Sequence, residues 1–430
     1  MSQHMREARK VPTAAVAAGA VVAVALVAGG IAFALTRGNG AGEKIEPETP
    51  AAQPSDQGTD ASGSSEPAAT LPFSLDGVPA EGNVTEVSDA AAATLSGTWT
   101  FGGDYALIGS FPIDATTVFG SATDDPATVT GYAASLITDV GAAALEEAQT
   151  SEPYFEPQDG TGTTDRVVWR SSELSNTPVS ATDNWRVQLW TEAAGTVILG
   201  SAEELNGTTQ TPELDGEIVP TANEKAVYFA SMAKVDDAWQ PEVLSWSVGD
   251  DLGTMTVVGQ GSYPAATKTG CLFAGDLASN DTGTLYTALY QWNGSASSKV
   301  FSLSSEDGTW SISGVWASNA YCVIAFSSTS SDTGSYLGVW DASFEKFCGW
   351  VKLTSDRAVG SANDEWFVWG AGSASENAGM YALRLSDMTL LSLGVCEGYS
   401  RPSLASDYNV VMVPVSNGGG AVKYTVGTLE

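Results

Sequence analysis

The chain has 430 residues, 43% of them hydrophobic, with 51 acids against 18 bases and a formal net charge of −33. Such a balance excludes nucleic-acid binding, where affinity comes from neutralising phosphates with Lys and Arg, and it sets the surface off from anionic lipid. The single His is His4, so everything beyond it lacks the imidazole that Ser-His-Asp and Cys-His catalysis require and that catalytic zinc usually takes.

From the amino end, residues 1–10 form a short basic tail with Arg6, Arg9 and Lys10. Residues 11–35 follow, VPTAAVAAGAVVAVALVAGGIAFAL, without one charged side chain. About 20 apolar residues cross a bilayer as a helix, so this run is read as a single membrane anchor. Basic residues stay on the cytoplasmic side of such a helix, which puts residues 36–430 outside the cytoplasm. The rival reading is a cleaved signal peptide with Ala32-Phe33-Ala34 as its site, but its apolar core would be about 7–15 residues. Ala15, Gly19 and Ala23 are spaced as in close helix pairs, yet the helix is simply Ala-rich. Residues 36–70 are dominated by Pro, Ser, Gly, Ala and acids, with Ile45 the only large aliphatic between 38 and 70. Such composition cannot bury enough surface to offset ordering entropy. It predicts a disordered stalk carrying a domain over residues 71–430.

Thr98–Phe101 and Tyr105–Ile108 read as strands, and Gly141–Gln149 as a short helix. From Arg166 onward the pattern is regular. One strand type follows an Asp or Asn turn and is apolar on consecutive positions: Val167–Trp169, Val227–Phe229, Cys271–Phe273, Cys322–Phe326, Trp366–Trp369 and Val410–Val413. Both faces of these strands should therefore be buried. A second type follows it and often ends in Trp, as at Trp190, Trp246, Trp292 and Trp340; the last three are 46 and 48 residues apart. Repeats of about 40–50 residues with four short strands each are β-propeller blades. The expectation is an all-β propeller. Six blades fit best, with strands around Thr98–Val118 closing the last one; seven result if the early region makes a blade of its own.

The order of Asp/Asn turn, then VVW or VYFA, then a strand ending in Trp, resembles TolB-like and WD40-like propellers of the bacterial cell envelope, over about residues 160–430. The resemblance is architectural, since Trp340-Asp341 is the only WD dipeptide. It implies scaffolding or partner binding, and fold alone does not decide function.

Other motifs reduce to turns. Asp281-Thr282-Gly283 and Asp332-Thr333-Gly334 are spaced as equivalent hairpins, not as an aspartic-protease pair flanked by apolar strands. Ser305–Trp310 resembles an Asp-box but occurs once, and the pairs Asp124-Asp125, Asp236-Asp237 and Asp250-Asp251 belong to no calcium loop. The four cysteines, Cys271, Cys322, Cys348 and Cys396, leave three pairings open. Cys271 and Cys322 occupy matching strand positions, Cys348 and Cys396 matching unit ends; the latter pair is favoured, and buried free thiols are the alternative. Most Trp residues are core between blades, while Trp185 and Trp239, beside polar turns, are the candidates for exposed contacts.

No catalytic, cofactor or metal residues are assigned. The functional expectation is a non-catalytic binding or scaffolding module at the cell membrane, meeting an envelope protein, peptide or polysaccharide. The alternative is a glycan hydrolase or lyase working through two carboxylates about 5–10 Å apart.

Overall fold

The computed structural model describes residues 71–104, 106–124, 132–147, 149, 153–173, 182–212, 219–280, 283–330, 334–354, 358–371, 378–396, 401–416 and 422–430. The expected membrane span over 11–35 and the stalk over 36–70 lie outside them. Among the described residues no helix is long and apolar enough to cross a membrane.

Seven antiparallel four-stranded units make a β-propeller. Taken from the axis outward, the strands of each blade are a, b, c and d. Blade 1 comprises Leu107–Pro112, Val118–Ala122, Ala133–Thr138 and Gly141–Ala144; blade 2, Phe155–Thr163, Arg166–Glu173, Trp185–Thr191 and Gly195–Ser201. Blade 3 comprises Thr221–Ala222, Ala226–Val235, Ala238–Ser247 and Thr256–Gln260; blade 4, Ser262–Ala266, Cys271–Asn280, Gly283–Trp292 and Ser297–Ser304. Blade 5 comprises Trp310–Ala317, Tyr321–Ser328, Ser335–Asp341 and Phe347–Leu353; blade 6, Ala358–Ala362, Trp366–Ala371, Ala378–Arg384 and Thr389–Cys396. Blade 7 takes a, b and c from Ser403–Leu404, Val410–Ser416 and Val422–Leu429, and its outermost strand from Leu95–Gly102.

The count is seven because the early region does make its own blade. The expected helix over Gly141–Gln149 is corrected by the same blade. Gly141–Ala144 is a strand paired with Ala133–Thr138 across the two-residue turn Asp139-Val140. Alanine's helix preference is a weak prior, and sheet pairing overrides it.

The core lies between blades. Seven large apolar clusters occur among the described residues, one at each blade-to-blade interface. The b strands feed two clusters each, as their unbroken apolar runs require. Val167 faces blade 1 while Val168 faces blade 3, and Val323 and Ile324 divide likewise. The strand-ending Trp residues pack toward the preceding blade: Trp246 against blade 2 and Trp340 against blade 4. In blades 2 to 7 the pairing of c with d slips by one residue, for example between Val339 and Trp340. Such bulges increase twist.

A belt precedes the ring. Ser74–Asp76 pairs with strand d of blade 4, Val84–Glu86 with d of blade 5, and Ala91–Ala92 with d of blade 6. The chain then becomes strand d of blade 7. Phe73 plugs the blade 4–5 interface, with ring centroids 4.9 Å from both Trp310 and Phe326. Trp340 Nε1 donates to Pro79 O at 2.7 Å and Trp350 Nε1 to Ala80 O at 2.9 Å. Lys352 pairs with Glu86 at 3.2 Å on the exposed rim.

One buried carboxyl gives the fold a pH dependence. Glu156 opposes Ser172 on the side of blade 2 turned toward blade 3 and is 3% exposed. Ser231 and Glu242 oppose each other on the facing side of blade 3. The hydroxyls of Ser172 and Ser231 have no partner among the described residues. Burial pushes Glu156 up to about 8 from 4.5 and also raises Glu242. Glu156 is thus neutral in the folded protein near pH 7, whereas the unfolded chain ionises it near 4.5. Folding carries no penalty below that value, a growing one as pH rises, and the full one above about 8. Thermal melting between pH 5 and 9 should show stability falling as pH rises, by on the order of 4 kcal/mol from this group. Glu156→Gln should flatten that slope, and identical slopes in the two proteins would refute the assignment.

Candidate functional site

The a strands enclose an axial channel of about 1210 Å³. All seven blades contribute, from Ser110 and Phe111 of blade 1 to Arg401–Ser406 of blade 7. Much of the wall is Gly, Ala, Ser and Thr, because seven inner strands converge there and bulky side chains would collide. Gly160 and Gly360 meet a different constraint, within the blade: a Cβ at either would run into the carbonyl of Val168 or Val368 on the neighbouring b strand.

One mouth is made by the turns joining a to b, which the sequence marks with Asp or Asn. The structure gives these residues two jobs. Asn223 Oδ1 accepts from the amides of Lys225 and Ala226, shaping its own turn. Its Nδ2 donates to Thr267 O at 2.8 Å in blade 4. Asn363 repeats the device. Oδ1 accepts from Glu365 and Trp366, while Nδ2 donates to Ala405 O and to Tyr408 O at 2.9 Å in blade 7. Arg166 Nη2 reaches Asn223 O at 2.7 Å, and Asp364 Oδ1 accepts from the amides of Asn319 and Ala320. Neighbouring turns are thereby stitched together around the mouth.

Charge is distributed unevenly. From residue 71 onward the chain has 13 bases and 44 acids. The channel lining holds four of those bases, Arg166, Lys225, Lys268 and Arg401, against five acids, Asp159, Asp165, Glu224, Asp364 and Asp407. A strongly acidic domain therefore has a nearly neutral lumen. Bases of the mouth sit on blades 2, 3 and 4, with Asp165 and Glu224 beside them on blades 2 and 3, and Asp364 and Asp407 lie on blades 6 and 7. Lower in the channel, Arg401 of blade 7 is ion-paired with Asp159 of blade 2, past blade 1, and Thr161 and Ser406 join the same blades at 2.9 Å.

Two aromatics line the wall on blades 4 and 5, Tyr263 and Trp316. Tyr263 has φ +55°, a left-handed conformation costly for a bulky residue. It sits in an irregular strand and meets Tyr286 edge-on at 5.6 Å. Trp316 folds back over Gly314, where a Cβ would strike the indole, and packs on Phe367 at 4.8 Å.

Three carboxylates of the lining already have partners. The Thr163 hydroxyl holds Asp165 low, Asp364 caps a turn and Asp159 is ion-paired. The carboxyls held high, Glu156 and Glu242, are outside the lining. Burial pulls Arg166 down while Asp165 and Glu224 offset it.

The residues singled out in the sequence are scattered. Trp185 is corrected: it is 3% exposed, between blades 2 and 3, edge-on to Phe229 at 5.8 Å. The polar turn beside it misled, because the indole faces inward. Trp239 is part-exposed at the tip of the b–c hairpin of blade 3, outside the channel. Cys271 and Cys322 are not joined: both are free buried thiols, one at the blade 3–4 interface and the other at 4–5. Matching positions in successive blades keep residues one blade apart. Cys348 is free and half-buried, and the side chain of Cys396 lies outside the described residues. Asp236 and Asp237 form a hairpin turn with φ +48° and +65°, and Ser305–Thr309 is a turn closed by Gly308 N to Ser305 O. Asp281, Thr282, Asp332 and Thr333 lie outside the described residues.

No protein-family model matches the chain, and no curated protein matches it. Solved structures do resemble it. An oligogalacturonate lyase in complex with manganese is 12% identical over 84% of this chain and 98% of that one, with a TM-score of 0.48. TolB from Acinetobacter baumannii is 11% identical over 73% and 80%, with a TM-score of 0.37. The β-propeller domain of the Trilobed protease from Pyrococcus furiosus is 7% identical over 76% and 91%, with a TM-score of 0.42. The TolB-like resemblance expected from the sequence is one of architecture, a ring of four-stranded blades.

Two outcomes follow. Asn363→Ala removes both the turn acceptor and the inter-blade donor and should cost about 1–3 kcal/mol in denaturant unfolding. Asn363→Asp keeps the acceptor but sets a buried carboxylate oxygen against two carbonyls, and should be at least as destabilising at pH 7. Burial pushes the Cys322 thiol up to about 12 and Cys271 further, whereas Cys348 is raised with Lys346 opposing. Alkylation of the folded chain at pH 8 should therefore label Cys348 at least about tenfold faster than Cys271 and Cys322. Mass spectrometry reads this directly.

Proposed function

We propose that this chain is a membrane-anchored, extracytoplasmic binding or scaffolding module whose recognition surface is the mouth of the axial channel. The observation that carries the reading is the channel itself. It is broad, contributed to by every blade, and nearly neutral within a strongly acidic domain. Turns carried on a rigid scaffold are where binding residues concentrate. Blades 2–4 carry three bases with Asp165 and Glu224 beside them, and blades 6–7 carry Asp364 and Asp407, so a ligand meets a modest charge asymmetry across one opening, with Trp316 and Tyr263 as apolar wall. The ligand is an envelope protein, peptide or polysaccharide.

The belt supports a direction for this surface. Phe73 and Ser74 enter beside Phe326 and Ser304, at the ends of strands b and d. That is the face opposite the a–b turns, so a stalk over 36–70 meets the propeller away from the channel mouth. The mouth then points outward from the membrane.

Capture from an envelope fraction tests this. The chain should retain a partner that Trp316→Ala, or the pair Lys225→Glu and Lys268→Glu, loses by at least about tenfold, with retention weakening as salt rises. Turnover of a glycan panel, abolished by Asp407→Asn or Glu224→Gln, would replace binding with the enzyme reading. Protease shaving of intact cells checks the topology: resistance of residues 71–430 in cells but not in lysates would place them inside.

A further inference from the structure

The belt treats the seven blades unequally. Blades 4, 5 and 6 each have their outer strand covered by a belt segment, and blade 7 takes its outer strand from the amino end. Blades 1, 2 and 3 end on Gly141–Ala144, Gly195–Ser201 and Thr256–Gln260, and no described strand pairs on their outer sides. An unpaired edge is a template for another strand, and proteins usually guard it with charge, Pro or a cover. Among the described residues the edge strand of blade 1 carries none of these guards. Its edge reads Gly-Ala-Ala-Ala, all four residues are exposed, and Val140 before it is 91% exposed.

A second observation sits beside this edge. A shallow, open depression of about 590 Å³ runs from Ala144 to the outer strands of blade 2, lined by Glu146, Arg186, Thr196 and Ile198 among others. Its floor is built. Arg186 stacks on the Phe155 ring at 3.2 Å, Gln188 donates to Glu146 at 2.8 Å, and Thr196 donates to Leu145 O at 2.6 Å. Ile198 offers an apolar contact, 40% exposed. Its charge is acidic: Glu146 and Glu147 line it with one base, Arg186, which already feels Glu146 and Glu173.

We propose that the outer edge of blade 1, with this depression, docks an extended segment of a partner protein that alternates basic and apolar residues, adding it as a fifth strand. The belt shows the mode, because the chain covers its own blades with strands of two or three residues. Charge selects the occupant. Residues 36–70 of this chain could reach, but they hold six acids and two bases, and a second copy brings another net −33. Both are repelled where a basic segment is attracted. This surface is separate from the channel and stands without it.

The test uses the full-length chain in detergent micelles and a nine-residue probe alternating valine and lysine, with a valine–glutamate peptide as its counterpart. Leu145 N bonds Ala134 O, so the ladder alternation leaves the amides of Ala142 and Ala144 pointing outward. Fluorescence anisotropy should show the lysine probe binding and the glutamate probe not. Ala142→Pro and, separately, Ile198→Asp should weaken binding at least tenfold with unchanged circular dichroism, while Lys225→Glu with Lys268→Glu leaves it intact. Hydrogen exchange at 141–144 should slow on binding. Undiminished binding by both edge variants would mean unspecific charge attraction and overturn the proposal. Equally, protection of 141–144 before any probe is added would show the edge covered by residues 36–70 or by a second copy.

Discussion

The structure depends on burying the b strand of every blade on both faces. A single four-stranded sheet has no second layer to cover its faces, so an unbroken apolar run such as Val323–Phe326 is unstable alone. It becomes stable when sheets stack side by side, and stacking with a constant rotation closes a ring. Seven inter-blade clusters are the result, and the Trp that ends several c strands packs into its interface. Large aromatics bury the most apolar area per residue, which suits them to seams between sheets.

Closing the ring is a non-local event. Blade 7 joins Leu95–Gly102 to strands beyond Ser403, so the first and last parts of the domain must meet. The belt reinforces that meeting with aromatic contacts at Phe73 and two indole donors, at Trp340 and Trp350. Its pairings are short, and its hold comes from side chains inserted at an interface. The Asn223 and Asn363 amides act nearer the axis, tying one a–b turn to the next. One device thus works at the outer rim of the blades and the other at the mouth of the channel.

The channel follows from the same constraint. Seven inner strands cannot meet at a point, and small residues line the space they leave. Its nearly neutral lining sets it apart from an exterior that repels anions. Three of its five carboxylates are already engaged, by a hydroxyl, by amides or by a guanidinium.

Two-sided apolar strands, the 46–48-residue spacing and the Asp/Asn turns were enough by themselves to specify a propeller, because each reflects a local requirement repeated blade by blade. The partner of each turn residue was not legible. Asn363 reads as a turn former whether or not its amide reaches Tyr408, 45 residues away. Trp185 failed for a related reason: a polar neighbour predicts exposure only if the strand's other face is known. Cys271 and Cys322 matched in phase, yet phase places residues in equivalent positions of successive blades and keeps them apart. The seventh blade, the belt and the convergence of Arg166, Lys225, Lys268 and Trp316 on one channel required the ring itself. Sequence periodicity encodes what each blade must bury; only closure decides which distant side chains end up facing one another.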